Sequence, residues 1–177
     1  MRLYRKNKMN QALIIDELSR NACGFSALLK GTPDNQARWK PSSNQWCLLE
    51  VVCHLYDEER EDFRARVKHC LKNPESPMSP IDPVSWVKDR KYLEQDFGKK
   101  SNSFLKERDL SIKWLESLES PDWENFHDHP TLGKMSAGKF LSNWLAHDYI
   151  HLRQINRIRY QYLNEFTEDS LKYAGDW

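Results

Sequence analysis

Histidine spacing raises the first chemical question. His147 and His151 stand four residues apart in the pattern H-x-x-x-H. On a helix that spacing puts both imidazoles on one face, about one turn apart. Rings so placed can share a metal ion through bonds of roughly 2.0–2.1 Å. Asp148, not a glutamate, follows the first histidine, so this is not the H-E-x-x-H of zinc proteases. The plain alternative is a pair of hydrogen-bonded core histidines. The surrounding stripe is Phe140, Trp144, Ile155, Ile158 and Tyr162, and polar rings on it are costly unless their nitrogens are satisfied. A cation would do that. His54 offers a third ring, because it shares the inward side of an earlier helix with Leu48, Val51, Val52 and Leu55.

Groups that could assist lie close by. Glu58 follows His54 by four residues, shares its face, and is the candidate proton acceptor. Gln154 follows His151 by three and could hydrogen-bond a ligand or substrate. Asp57 and Asp148 could orient ligand rings, although a solvated helix face is the more ordinary place for such carboxylates. Glu59, Arg60, Glu61 and Lys68 are expected to face outward. His127 and His129 form H-x-H in a polar loop and are expected to be exposed, at most bordering the site.

Four helical stretches position these groups. Residues 9–30 carry Ile14, Leu18, Ala22, Phe25 and Leu29 at steps of three or four, stopped by Gly31 and Pro33. A second helix is predicted from the Ser42/Gln45 capping-box pattern to about Lys72. Pro74, Pro77, Pro80 and Pro83 then enforce a stiff crossover, which permits a bundle other than up-down-up-down. The third stretch, 86–119, is expected to break near Gly98 and to bury Phe104, Leu105, Leu110, Ile112, Trp114, Leu115 and Leu118. The fourth runs from an N-cap at Ser136 to about Asn164. The fold class is therefore all-α, a four-helix bundle in one domain over 1–177. About eight N-terminal and twelve C-terminal residues are expected to be peripheral.

Composition narrows the partners. Lys and Arg total 27 against 26 for Asp and Glu, a net charge of +1, so no broad phosphate-binding or anionic-membrane surface is expected. The apolar run after the basic start is only Ala12–Ile15, shorter than the roughly 7–15 residues of a signal peptide. The four cysteines form no C-x-x-C pair, and reduced thiols in a cytoplasmic protein are expected. Aromatic residues reach 12%, which separates the chain from disordered ones despite a mean hydropathy of −0.83.

Two segments resemble a known family. Trp46-Cys47-Leu48-Leu49-Glu50-Val51-Val52-Cys53-His54-Leu55-Tyr56-Asp57-Glu58-Glu59-Arg60 is similar to the first signature of the DinB-like superfamily. Leu145-Ala146-His147-Asp148-Tyr149-Ile150-His151-Leu152-Arg153-Gln154-Ile155 is similar to the second. Phe104–Arg108, Leu115–Leu118 and His129–Ser136 resemble its third helix and the loop before its fourth. Cys47 departs from the Ser or Thr that many members carry. The resemblance implies a four-helix bundle with a long second connection, a homodimer, and a divalent metal near one end of the bundle. Its ligands would be His54, His147 and His151. It also implies either an S-transferase using a low-molecular-weight thiol or a hydrolase, with a small-molecule substrate. A non-catalytic metal-binding or stress-related bundle is the alternative.

Neutral imidazoles would leave such a metal its full charge and an open fourth position, the catalytic rather than the structural pattern. Water bound there falls to a pKa of about 7 on zinc, and a thiol loses its proton. Zinc is the first expectation and nickel the second, since imidazole suits both.

Overall fold

The computed structural model describes residues 10–175. Its helices are α1 (Gln11–Leu29), α2 (Asp34–Arg38), α3 (Leu48–Asp57), α4 (Arg64–Lys72), α5 (Pro83–Asp89), α6 (Phe97–Glu116) and α7 (Ala137–Phe166). A π-helical stretch over Glu58–Phe63 joins α3 to α4, so these make one continuous rod. Strands β1 (Phe126–His129) and β2 (Gly133–Ser136) form a hairpin before α7, pairing Phe126 with Ser136 and His129 with Gly133. No helix among the described residues is long and apolar enough to cross a membrane. The predicted N-terminal peripheral segment falls outside the described residues.

The four long rods are α1, α3–α4, α6 and α7. The first packs chiefly on α6 and α7, and α3–α4 packs on the same two helices. The first two rods in sequence are therefore diagonal. Contacts give the directions. Asn21 meets Asp148, and Arg159 reaches the Leu28 carbonyl, so α1 and α7 run parallel. Lys100 lies over Tyr56 while Arg64 bonds Glu107, so α3–α4 and α6 are also parallel. Phe63 stacks on Trp144 and Cys70 meets the Met135 carbonyl, so α3–α4 and α7 are antiparallel. A parallel neighbour can be reached only by running back along the whole bundle. The proline-rich segment after α4 begins that return.

Several boundaries differ from expectation for local reasons. The second rod starts at Leu48, not near Gln45. Its cap is Cys47, whose amide donates to Glu50 Oε2 at 2.9 Å, and Lys40 holds the other oxygen at 2.8 Å. Ser42 instead bonds Asn44 within a turn. The third stretch breaks over 90–96, just before Gly98. Lys91 is left-handed there (φ 48°), and Asp96 caps α6 by accepting from the Lys99 amide. The loop carrying His127 and His129 is the β1–β2 hairpin. Gly31 takes φ +73° after α1, and Ser136 caps α7, both as expected.

Apolar side chains form two clusters. One gathers Phe25, Leu29, Leu48, Leu55, Phe104, Ile155 and Ile158. The other gathers Ile14, Leu18, Phe63, Val67, Leu115, Leu141 and Trp144. Leu110, expected inside, is 44% exposed, because Arg108 and Ile112 take the inward positions on that helix. The polar side chains between the clusters form the site.

Candidate metal centre

His54, His147 and His151 converge. A ligand-capable nitrogen from each ring lies within 4.8 Å of those of the other two. His147 Nε2 is 3.2 Å from His54 Nε2 and 3.0 Å from His151 Nε2. Two ligands on a tetrahedral ion with bonds near 2.05 Å would stand about 3.3 Å apart. The rings come from the middle third of α7 and the second turn of α3. The cluster thus lies near the start of the α3–α4 rod and beside the middle of α7.

The donor chemistry fits a cation. His151 Nδ1 lies 2.7 Å from Gln154 Oε1, so that nitrogen carries the proton and Nε2 presents a lone pair to His147. His147 Nε2 holds at most one proton and faces two neighbours. His54 Nδ1 is buried with no hydrogen-bond partner, with the Glu58 carboxylate 3.9 Å away. No arrangement of protons satisfies all of these nitrogens, whereas one positive ion would meet three lone pairs at once. The rings are also held neutral, the form that ligates. Burial, then repulsion from His151, pushes His54 down to about 3. Burial, then the other two histidines and Arg108, pushes His147 down to about 2. Burial lowers His151 as well.

The walls are aromatic. The Trp46 ring centroid lies 5.0 Å from that of His54, and Phe63 lies 4.9 Å from His147. Trp46 is only partly buried. Glu58 is 4% exposed, and its carboxyl is pushed up to about 8, first by burial and then by Asp62 beside it. It therefore keeps its proton at neutral pH while the histidines carry no charge.

Asp57, Glu59 and Asp148 depart furthest from the solvated positions expected of them. Asp148 is fully buried and Glu59 is 1% exposed. Their hydrogen bonds go elsewhere than to the histidines. Both bind Arg108 of α6, itself 1% exposed, whose Nη1 and Nη2 donate to the Asp148 oxygens at 2.6 and 2.7 Å. Its Nε lies 3.0 Å from both Glu59 oxygens. Trp144 Nε1 donates to Glu59 Oε2 at 3.0 Å, and Asn21 Nδ2 donates to Asp148 Oδ2 at 3.2 Å. Asp57, also buried, accepts from Tyr92 Oη at 2.7 Å and pairs with Arg90.

Sequence reasoning gave Arg108 no role. The usable signal was its place on the line Phe97, Ser101, Phe104, Arg108, Ile112 and Leu115, where a charge must find a buried partner. The π turn was also missed. It carries Glu58 and Glu59, both of them buried. His127 and His129 stay outside the cluster. His127 Nδ1 donates to the Pro74 carbonyl at 2.9 Å, and its ring meets His69 edge-on. His129 Nδ1 accepts from the Thr131 and Leu132 amides and so closes the hairpin turn.

Comparison with known proteins agrees with this architecture. The model of the DinB superfamily matches residues 17–155, which includes all three clustered histidines. The chain belongs to the DinB superfamily. The uncharacterized protein YuaE of Bacillus subtilis is 25% identical over 146 residues, covering 74% of this chain and 88% of that protein. YfiT of Bacillus subtilis shares the fold with a TM-score of 0.76 and 16% identity, covering 88% of this chain and 91% of its own. It is described as a probable metal-dependent hydrolase with an unusual four-helix bundle topology. A further four-helix bundle protein, TT2238, aligns with a TM-score of 0.53 and 15% identity over 84% of this chain and 99% of its own.

Proposed function

We propose that this DinB-superfamily chain is a metal-dependent enzyme acting on a small molecule, with a divalent ion held by the Nε2 atoms of His54, His147 and His151. The observation that carries this reading is the convergence of three neutral imidazole nitrogens, 3.0 and 3.2 Å apart, beside the aromatic rings of Trp46 and Phe63. YfiT, described as a probable metal-dependent hydrolase, supports the same direction. When bound, the ion would supply Lewis acidity and a water or thiol made nucleophilic at neutral pH.

The chain's own groups do the rest. Gln154 fixes the ring orientation of His151 through the Nδ1 proton. Trp46 and Phe63 exclude water from two sides and lower the local dielectric, which strengthens each electrostatic contact in the site. Glu58 is the proton carrier. Its carboxyl lies against the unpartnered Nδ1 of His54, and positive charge in the site favours its ionised form, the form that accepts a proton. Water as nucleophile gives hydrolysis, and a low-molecular-weight thiol gives S-transfer to an electrophile.

The test begins with elemental analysis of protein purified without a nickel column. Bound zinc or nickel near one ion per chain is expected, and a value near zero would overturn the proposal. Incubation of the loaded protein with ester, amide and electrophile substrates, with and without thiols, then separates hydrolysis from S-transfer. Turnover is expected to vanish in His54→Ala and to fall at least about 100-fold in Glu58→Gln, in line with loss of a general base. Metal uptake without turnover on any substrate would mark a non-catalytic metal-binding bundle.

A further inference from the structure

We propose that Arg108 is a positioning residue for the histidine cluster, holding the helix that carries His54 in register with the helix that carries His147 and His151. This inference rests on the metal-site reading above. The cluster exists only if α3 and α7 keep a fixed height and rotation, since a functional constellation must be held to within about 0.5 Å. Apolar contacts between the two helices, such as the Phe63–Trp144 stack, resist separation but tolerate small slides. Directional hydrogen bonds do not.

Arg108 supplies such bonds at the right places. One edge of its planar guanidinium grips Asp148 with two bonds, and Asp148 adjoins His147 in sequence. A second edge grips both oxygens of Glu59, five residues after His54. One rigid plane thus sets the carboxylate of one histidine-bearing helix against that of the other. Trp144 Nε1 bonds Glu59 directly from α7. Asn21 and the Leu18 carbonyl bring in α1, so all four rods meet at this knot.

Stability alone does not account for the arrangement. A buried guanidinium with two buried carboxylates pays a large desolvation penalty, and well-packed apolar groups of similar volume commonly do as well or better. The knot also lies in the same layer as the histidines, between the two apolar clusters. An apolar layer there would join the clusters but would leave the sliding coordinate soft.

The test uses Arg108→Met combined with Glu59→Gln and Asp148→Asn, which removes the fork without stranding a buried charge. Arg108→Lys is the second variant, keeping the charge but not the planar fork, and is read identically if the triple variant does not fold. Zinc affinity is measured by competition with a chromophoric chelator on protein shown to be folded by circular dichroism. A loss of roughly 10–100-fold is expected, the usual consequence of removing support behind metal ligands. Affinity within twofold of wild type in a folded variant would overturn the proposal. A second readout needs no metal. Proton spectra of the metal-free protein should show a through-space contact between the His54 and His147 rings, whose centroids lie 5.3 Å apart, and that contact should weaken in the variants. Unchanged spectra would likewise overturn it. If the wild type binds no zinc, the metal reading fails, and these spectra still decide the role of Arg108.

Discussion

Two polar clusters lie side by side in this bundle, and they are finished differently. Around Arg108 each donor edge meets an acceptor, and the groups belong to all four rods. Around His147 the rings turn like nitrogens toward one another, and His54 Nδ1 has no partner. A fold can hold a charged knot when its geometry closes on itself. A set of converging lone pairs left open in the same layer is what a cation would complete. The contrast separates a group of residues that holds shape from one that is shaped to hold something.

Breaking the open cluster should have the largest effect on metal binding. His147→Ala removes the ring common to both short contacts. Its metal content, measured by elemental analysis, is expected to fall from about one ion per chain to background. Its stability in the absence of metal should change much less.

Breaking the closed cluster should have the largest effect on stability. Arg108→Met alone strands two buried carboxylates, and a loss of about 3–5 kcal/mol in urea unfolding is expected. The neutral triple variant should recover most of that loss. An equal loss in both would mean that shape rather than stranded charge sets the cost.

Acid sharpens the comparison. His54 and His147 have folded pKa values of about 3 and 2, well below an ordinary histidine. Between these values and about pH 6.5 the unfolded chain binds more protons, so stability is present above that pH and is lost as pH falls. The slope is up to about 1.4 kcal/mol per pH unit for each ring. Glu58 acts in the opposite sense. Its folded pKa is raised to about 8, so its contribution is present below the ordinary carboxyl range and is lost as pH rises through 8. Thermal unfolding of metal-free protein from pH 7 to pH 5 should show a falling midpoint, and Glu58→Gln should steepen the fall. A flat profile would contradict the buried neutral histidines.

The smallest effect belongs to the cap that starts the His54 helix. Glu50→Ala removes its bond to the Cys47 amide and its pairing with Lys40, and a loss of about 1 kcal/mol is expected in the same urea assay. Metal affinity should hardly move, because the cap lies outside both clusters.

The apolar pattern in the chain disclosed the long rods, the proline crossover and the N-cap at Ser136. The histidine spacing disclosed which rings could meet. The most consequential misses of that reading were polar residues at inward positions. On α1 it chose Ala22 over Asn21, and on α7 it omitted Asp148 from the stripe. The buried residues are Ile14, Leu18, Asn21, Phe25 and Leu29 on α1, and Ala137, Phe140, Leu141, Trp144, Leu145, Asp148, His151, Ile155 and Ile158 on α7. A search for apolar periodicity passes over polar residues at inward positions, and Asn21, Glu59, Arg108 and Asp148 are all of that kind. Each would be costly alone, and they are tolerable only together.

Local chemistry therefore determined the elements and the ligand-capable rings, because helix periodicity, prolines and histidine spacing act over a few residues. Tertiary structure decided which carboxylates lie inside, that Glu58 keeps its proton, and that rings on α3 and α7 meet. Those outcomes depend on partners distant along the chain, as Arg108 is from Asp148. No local pattern can price a buried charge before its counter-charge has been brought beside it.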